Sequence, residues 1–155
     1  MTPEERLAEL GESVPELVAA VAAYVPTVRS GSYVYVSGQL PWRDGSLLHT
    51  GKVGADVTVE EATQCARQCA LNAIGALRAE LGELSAVTRI VKVVGFVASV
   101  PGFTEQPKVI NGASELLGAA FGDAGKHARS AVGVAALPLD TPVEVELIAE
   151  VGGAA

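Results

Sequence analysis

The sequence is poor in charge, and above all in basic residues. Charged residues make up 19% of its 155 residues, below the roughly 25% of an ordinary soluble domain. So little charge on a chain of one-domain length predicts that other subunits cover part of its surface. Only 11 residues are basic against 18 acidic ones, and the net charge is −7. This balance gives no basic footprint for nucleic acid or for an anionic membrane surface.

Long apolar runs are also missing, although 49% of the residues are hydrophobic. The longest run, from Leu17 to Val25, has about nine residues, whereas a membrane span needs roughly twenty. The first six residues, Met1 to Arg6, are acidic overall, and a secretory signal would begin with cationic residues instead. We therefore expect a cytoplasmic protein with no membrane partner.

Metal ligands and the common catalytic motifs are scarce. The two cysteines, Cys65 and Cys69, lie four residues apart on a predicted helix, so we expect buried free thiols rather than a disulfide or a metal site. The two histidines, His49 and His127, cannot form a zinc site alone, and we expect His127 to face solvent. The sequence contains neither a phosphate-binding loop nor a Gly-x-Ser-x-Gly nucleophile motif. It predicts no metal and no cofactor.

The arrangement of apolar residues predicts one α+β domain with the element order βββ-α-β-α-ββ. Two helices lie on one face of its mixed sheet. Capping boxes at Thr2–Glu5 and Thr58–Glu61 mark two helix starts. We predict an N-terminal extension over residues 1–23 with a short helix, the domain over 24–151 and a tail over 152–155. The predicted strands are 25–29, 33–37, 47–49, 87–100, 129–135 and 143–151, and the long helices are 58–81 and 107–121.

The last two strands contain the residues most suggestive of chemistry. Alternate residues of the last strand place Glu144 and Glu146 on a face that the two-sided apolar pattern of strand 87–100 predicts to be covered. Arg129 begins the preceding strand, which we expect to form a hairpin with the last one. An arginine there is suited to bidentate capture of a carboxylate. That carboxylate belongs either to a glutamate of the same chain, as an internal salt bridge, or to a ligand.

Two segments of the chain resemble a known family. Ala128–Pro138 (ARSAVGVAALP), followed by Val143–Glu146 (VEVE), resembles the signature of the RidA/YjgF family, whose members are also described as L-PSP endoribonucleases or translation inhibitors. Tyr33–Pro41 (YVYVSGQLP) resembles the Ser-Gly-Gln-x-Pro strand of the same family. The resemblance covers about residues 24 to 151.

The resemblance implies a chorismate-mutase-like fold and a homotrimer with a site in each cleft between subunits. It implies hydrolysis of the reactive enamines and imines that pyridoxal-phosphate enzymes release, giving a 2-oxo acid and ammonia. Arg129 would then pair with the carboxylate of the substrate, and Glu144 would hold the attacking water together with the backbone carbonyl of Ala131. Other residues implied to line the cleft are Tyr24, Ser37 and Asn111.

Two other functions stay open at this point. One is a non-catalytic sensor or binding protein for small carboxylates, which would use Arg129 alone. The other is a ribonuclease acting on single-stranded RNA, against which the pI of about 4.8 argues, because RNA affinity depends on neutralising phosphates. Glu144 favours the enzyme over the binding protein, since binding alone does not require a carboxylate that holds water.

Overall fold

The computed structural model describes residues 1–17 and 23–152. Residues 18–22 of the predicted extension and 153–155 of the predicted tail lie outside the described residues. The helices are α1 (Pro3–Glu9), α2 (Val59–Leu81) and α3 (Gln106–Phe121). The strands are β1 (Thr27–Ser30), β2 (Tyr33–Gln39), β3 (Trp42–Arg43), β4 (Ser46–Leu47), β5 (Val87–Ala98), β6 (Ala128–Val134) and β7 (Val143–Val151).

Five strands form one mixed sheet in the order β1-β2-β7-β5-β6, and β3 pairs with β4 in a separate hairpin. Within the large sheet, β5 and β6 run parallel, and the other neighbours are antiparallel. The α+β class with a mixed sheet is therefore confirmed.

The predicted hairpin between the strand of Arg129 and the last strand is wrong. β6 lies at the edge of the sheet, where Arg129 is beside Val93 of β5, and β7 lies between β2 and β5. Every second residue of β7, from Val143 to Val151, is buried. A strand with a fully buried row gains most from ladder partners on both sides, and the central position supplies them.

Local sequence signals set both ends of α2. The Thr58 hydroxyl accepts a hydrogen bond from the Glu61 N–H (3.1 Å), and the Glu61 carboxylate accepts one from the Thr58 N–H (3.0 Å). Gly82 ends the helix with a φ of 83°. Cys65 and Cys69 are fully buried free thiols on this helix, as predicted, and burial raises the pKa of Cys65 to about 12.

A glycine in the middle of α3 lets the two long helices pack closely. A Cβ at Gly112 would overlap the backbone carbonyl oxygen of Thr63 on α2. A glycine at that place lowers helix propensity by roughly 1 kcal/mol relative to alanine. The close helix contact explains why α3 nevertheless contains it.

The N-terminal segment packs on the helices rather than on the sheet. Leu7 of α1 is buried, and Glu12 forms an ion pair with Arg67 of α2 (3.3 Å). Arg78, also on α2, donates a hydrogen bond to the carbonyl of Val14 (3.2 Å). The described part of the extension therefore covers the side of α2 that carries Arg67 and Arg78.

None of the described residues covers the sheet face that points away from the helices. Tyr33 and Tyr35 on β2 are 40% and 47% exposed there. Val94 and Phe96 on β5 are half-buried on the same face. The cover predicted for this second face is therefore not supplied by the described residues of the same chain. We call this surface the open face.

Candidate functional site

Arg129 is held against α3 by hydrogen bonds from its guanidinium group. Nη1 donates to Asn111 Oδ1 (2.8 Å) and to Ser114 Oγ (3.2 Å), and Nη2 donates to the carbonyl of Pro107 (3.3 Å). These three partners are spaced four and three residues apart on α3, so they lie on one helix face. The structure thus brings together Arg129 and Asn111, two of the predicted site residues.

Two N–H donors of the guanidinium have no hydrogen-bond partner among the described residues. An arginine has five N–H donors, and the bonds to α3 use both on Nη1 and one on Nη2. The donors that remain are on Nε and Nη2. Two donors match the two oxygens of a carboxylate.

No aspartate or glutamate among the described residues forms an ion pair with Arg129. The interpretation of Arg129 as one half of an internal salt bridge is therefore wrong for this part of the chain. Ala131, two residues further along β6, lies on the same side of the strand as Arg129. Because β6 is an edge strand, part of its backbone faces outward, unpaired with the sheet.

His127 and Ser114 extend the hydrogen bonds around Arg129. Ser114 Oγ lies 2.9 Å from His127 Nε2, and His127 Nδ1 lies 2.6 Å from the carbonyl oxygen of Gly125. His127 is half-buried with both ring nitrogens bonded, so the prediction that it faces solvent is wrong. The sequence reasoning missed both residues. Their spacing was a usable signal, because Ser114 is three residues from Asn111 on a helix and His127 is two residues before Arg129.

A second cluster contains Tyr24, Ser37 and Glu144 on or near the open face. Ser37 donates its hydroxyl to the carbonyl of Val25 (2.7 Å), so the chain beside Tyr24 lies against the end of β2. Tyr24 itself is 52% exposed. The Glu144 side chain lies over the backbone of Gly38, where a Cβ would overlap its carboxylate. Glycine at this position thus makes room for the carboxylate.

The environment of Glu144 favours its neutral form. Burial raises the pKa of Glu144, and the nearby carboxylate of Glu146 raises it further. A carboxylate with a raised pKa is a better proton acceptor once it is ionised. It is therefore suited to binding a water molecule and drawing a proton from it.

The two clusters lie on opposite sides of the sheet. Arg129 shares a register position with Val93, which faces the helices, whereas Glu144 faces Phe96 on the open face. Their strands are separated by β5, which is two strand spacings, or about 10 Å. One chain therefore does not bring its own Arg129 and Glu144 to one site. Each cluster is half of the predicted site.

A groove of about 270 Å³ runs along the open face beside the second cluster. It reaches Ser37 on β2 and Glu146 on β7, and its floor is mostly apolar. Lys92 of β5 also borders it. The lining residues are Val28, Tyr35, Val36, Ser37, Lys92, Val94, Glu146, Leu147 and Ile148.

The described ranges 1–17 and 23–152 contain neither a cluster of metal-binding side chains nor a helix that could span a membrane. Within them, no three His, Cys, Asp or Glu side chains lie close enough together to hold a metal ion. None of the helices found there has both the length and the apolar character needed to cross a membrane. The expected cytoplasmic location stays a prediction.

Comparison with known proteins gives a family match over nearly the whole chain. The model described as "YjgF/chorismate_mutase-like, putative endoribonuclease" matches residues 4–151. Protein TCP17 of Trypanosoma cruzi is 47% identical over 145 residues, which are 93% of this chain and 91% of that protein.

Two solved structures have nearly the same backbone. A Shewanella oneidensis protein that carries the same endoribonuclease description has a TM-score of 0.95 at 40% identity, over 97% of this chain and 100% of the other. A protein of unknown function from Agrobacterium tumefaciens has a TM-score of 0.90 at 47% identity, over 97% and 92% of the two chains. The similarity therefore includes the N-terminal segment as well as the sheet and its two long helices.

Proposed function

Because the chain belongs to the YjgF/chorismate-mutase-like family, we propose that it hydrolyses reactive enamines and imines to 2-oxo acids and ammonia. The reaction takes place without a cofactor, in clefts between the subunits of a homotrimer. Family membership confirms the resemblance that the sequence motifs indicated. The activity and the assembly are those that the resemblance implies, and the chemistry of the two clusters supports them.

The observation that carries the proposal is the state of Arg129. Its guanidinium is fixed on α3, has no acidic partner among the described residues, and keeps two donors available. A cation held in this way binds a small carboxylate strongly and in one orientation. The substrate class is therefore a small acid with its reacting carbon close to the carboxylate.

Opposite placement of the two clusters supports a site built from two chains. The open face exposes the large side chains of Tyr33 and Tyr35 and is not covered by the described residues, as a surface that packs against another copy would be. Packing the open face of one subunit against the β6 edge of the next brings Glu144 of one chain near Arg129 of the other. Contacts of this head-to-tail kind close into rings, and three subunits give three equivalent clefts.

The chemistry requires little beyond positioning. An enamine takes up a proton on carbon, and an imine takes one up on nitrogen; either gives an iminium ion, whose C=N carbon is electrophilic. Glu144 and the backbone carbonyl of Ala131 hold a water molecule, which adds to that carbon and gives up a proton to the carboxylate. The carbinolamine nitrogen then takes a proton and the C–N bond breaks as ammonia leaves. The hydroxyl group gives up its proton at the same time, so the C=O of a 2-oxo acid remains.

A ribonuclease is disfavoured by the charge of the molecule. The net charge is −7, and Glu144 and Glu146 are side by side on the open face. Both features repel the phosphates that RNA binding must neutralise.

Coupling to a dehydratase tests the proposed activity. A serine or threonine dehydratase releases an imine, whose decay is followed by absorbance with and without the protein. We expect decay to accelerate in proportion to the concentration of the protein. No acceleration, together with tight binding of pyruvate in calorimetry, would leave the non-catalytic carboxylate-binding protein as the better account.

The raised pKa of Glu144 predicts how turnover depends on pH. The carboxylate must be ionised to accept a proton from water, so turnover should fall as pH falls through a pKa above the usual glutamate range. Replacing Glu146 by glutamine removes one cause of the shift. We expect the acid limb of the kcat/KM profile to move to lower pH in Glu146→Gln, whatever the height of its plateau. An unmoved limb would show that Glu144 does not control it.

A further inference from the structure

The hydrogen bonds from Gly125 to Arg129 have one consistent direction when the His127 ring carries a single proton. A backbone carbonyl only accepts, so that proton lies on Nδ1 and points at Gly125 (2.6 Å). Nε2 then carries a lone pair and accepts the hydroxyl proton of Ser114 (2.9 Å). The lone pairs of that hydroxyl are consequently turned toward Nη1 of Arg129 (3.2 Å).

His127 prevents Ser114 from bonding in the way that serines inside helices often do. A serine hydroxyl at such a position commonly donates to the carbonyl four residues earlier, which here belongs to Ile110. The His127 ring takes that proton instead. The ring itself has a fixed support, because Gly125 packs so closely on α3 that a Cβ there would overlap the carbonyl oxygen of Leu117.

We propose that His127 and Ser114 are positioning residues that hold the Arg129 guanidinium in its carboxylate-binding orientation. The Ser114 hydroxyl occupies one Nη1 donor of Arg129, and His127 fixes the direction of that hydroxyl. The two residues thereby determine which donors of Arg129 face the cleft. Neither residue touches the substrate. The consequence for substrate affinity rests on the proposed function, whereas the effect on the guanidinium does not.

Removing either residue should weaken carboxylate binding more than it slows the chemical step. For Ser114→Ala and for His127→Ala we expect the Kd for pyruvate and the KM to rise about tenfold, as for the loss of a hydrogen bond to a charged group. The kcat should change little. Ser114→Thr keeps the hydroxyl and His127→Gln keeps an acceptor near Nε2, so both should recover most of the affinity.

The double variant, Ser114→Ala with His127→Ala, tests whether the two residues act on Arg129 through one chain of hydrogen bonds or independently. Because Ser114 and His127 act in series, losing both should cost no more affinity than losing one. Losses in the double variant equal to the sum of the single losses would contradict the proposal. So would a Kd within twofold of the unmodified protein in both single alanine variants.

NMR spectroscopy tests the positioning role even if the protein binds no carboxylate. In ¹⁵N–¹H spectra of the unmodified protein, neutral His127 should carry its proton on Nδ1, and the Arg129 Nη protons should show restricted rotation. The restricted rotation of the Arg129 Nη protons should be lost in Ser114→Ala, whereas the His127 proton should stay on Nδ1 there because the Gly125 carbonyl still accepts it. Both signatures should stay unchanged in Ser130→Ala, a matched serine on β6 that points to the other face.

The two proposals can therefore fail separately. The rotation of the Arg129 Nη protons could be restricted in a way that depends on Ser114 while the protein neither binds pyruvate nor accelerates imine decay. That result would overturn the proposed function and keep the positioning role. A proton on Nε2 of His127, or guanidinium signals identical in all variants, would overturn the positioning role whatever the activity.

Discussion

Replacing Arg129 by alanine is expected to abolish ligand binding and turnover together. The guanidinium is the cation that the structure fixes at the candidate cleft, and its two available donors match a carboxylate. Without it the substrate has neither a charge partner nor an orientation. We expect kcat/KM to fall by at least about a hundredfold and pyruvate binding to become undetectable in calorimetry.

Arg129→Lys is the informative companion. It keeps the positive charge, but an ammonium group cannot hold Asn111 and Pro107 and at the same time offer two parallel donors. We therefore expect most of the activity to be lost in this variant as well. Thermal unfolding controls for damage to the fold, because Arg129 has no carboxylate partner among the described residues that its removal would leave unpaired. A lysine variant with full affinity would contradict bidentate binding.

Replacing Glu144 by glutamine should separate turnover from binding. In the proposed mechanism Arg129 binds the substrate carboxylate, so affinity for pyruvate should remain close to that of the unmodified protein. The amide cannot accept a proton from water, so we expect kcat to fall by roughly 10²- to 10⁴-fold. Stopped-flow or steady-state decay of the dehydratase product measures kcat, and calorimetry measures the affinity for pyruvate.

The stability of Glu144→Gln gives an independent check. Burial raises the folded-state pKa of Glu144, so the folded state holds this proton more tightly than the unfolded state does. Stability is then lost as pH rises through the raised pKa, and the ionised side chain is destabilising at neutral pH. The melting temperature of the variant should be equal or higher at pH 7. A lower melting temperature with lost binding would assign Glu144 a structural role.

Local patterns in the sequence were sufficient for most of the fold. The capping box at Thr58 and the glycine at 82 set the bounds of α2 to within one residue. The alternation from Val143 to Val151 gave the last strand its observed ends and its buried face. These features depend on neighbours a few residues apart, which a single sequence displays.

Strand order and the support of Arg129 depend on distant parts of the chain. Whether β6 pairs with β5 or with β7 is decided by burial of the whole sheet, and no motif near Arg129 records it. The resemblance pointed to Arg129 and Asn111, which the structure brings within 2.8 Å. The contribution of Ser114 depends on the turn at Gly125, and only three-dimensional packing shows that contact.

Mixing two inactive variants tests the site between subunits most directly. Arg129→Ala and Glu144→Gln subunits are unfolded together, refolded as a mixture, and checked for mixed trimers by native mass spectrometry. If each cleft takes Arg129 from one chain and Glu144 from its neighbour, random assembly of an equal mixture makes about a quarter of the clefts intact. We predict imine hydrolysis at about a quarter of the unmodified rate, well above either parent. Mixed trimers as inactive as the two parents would contradict a cleft built from two chains.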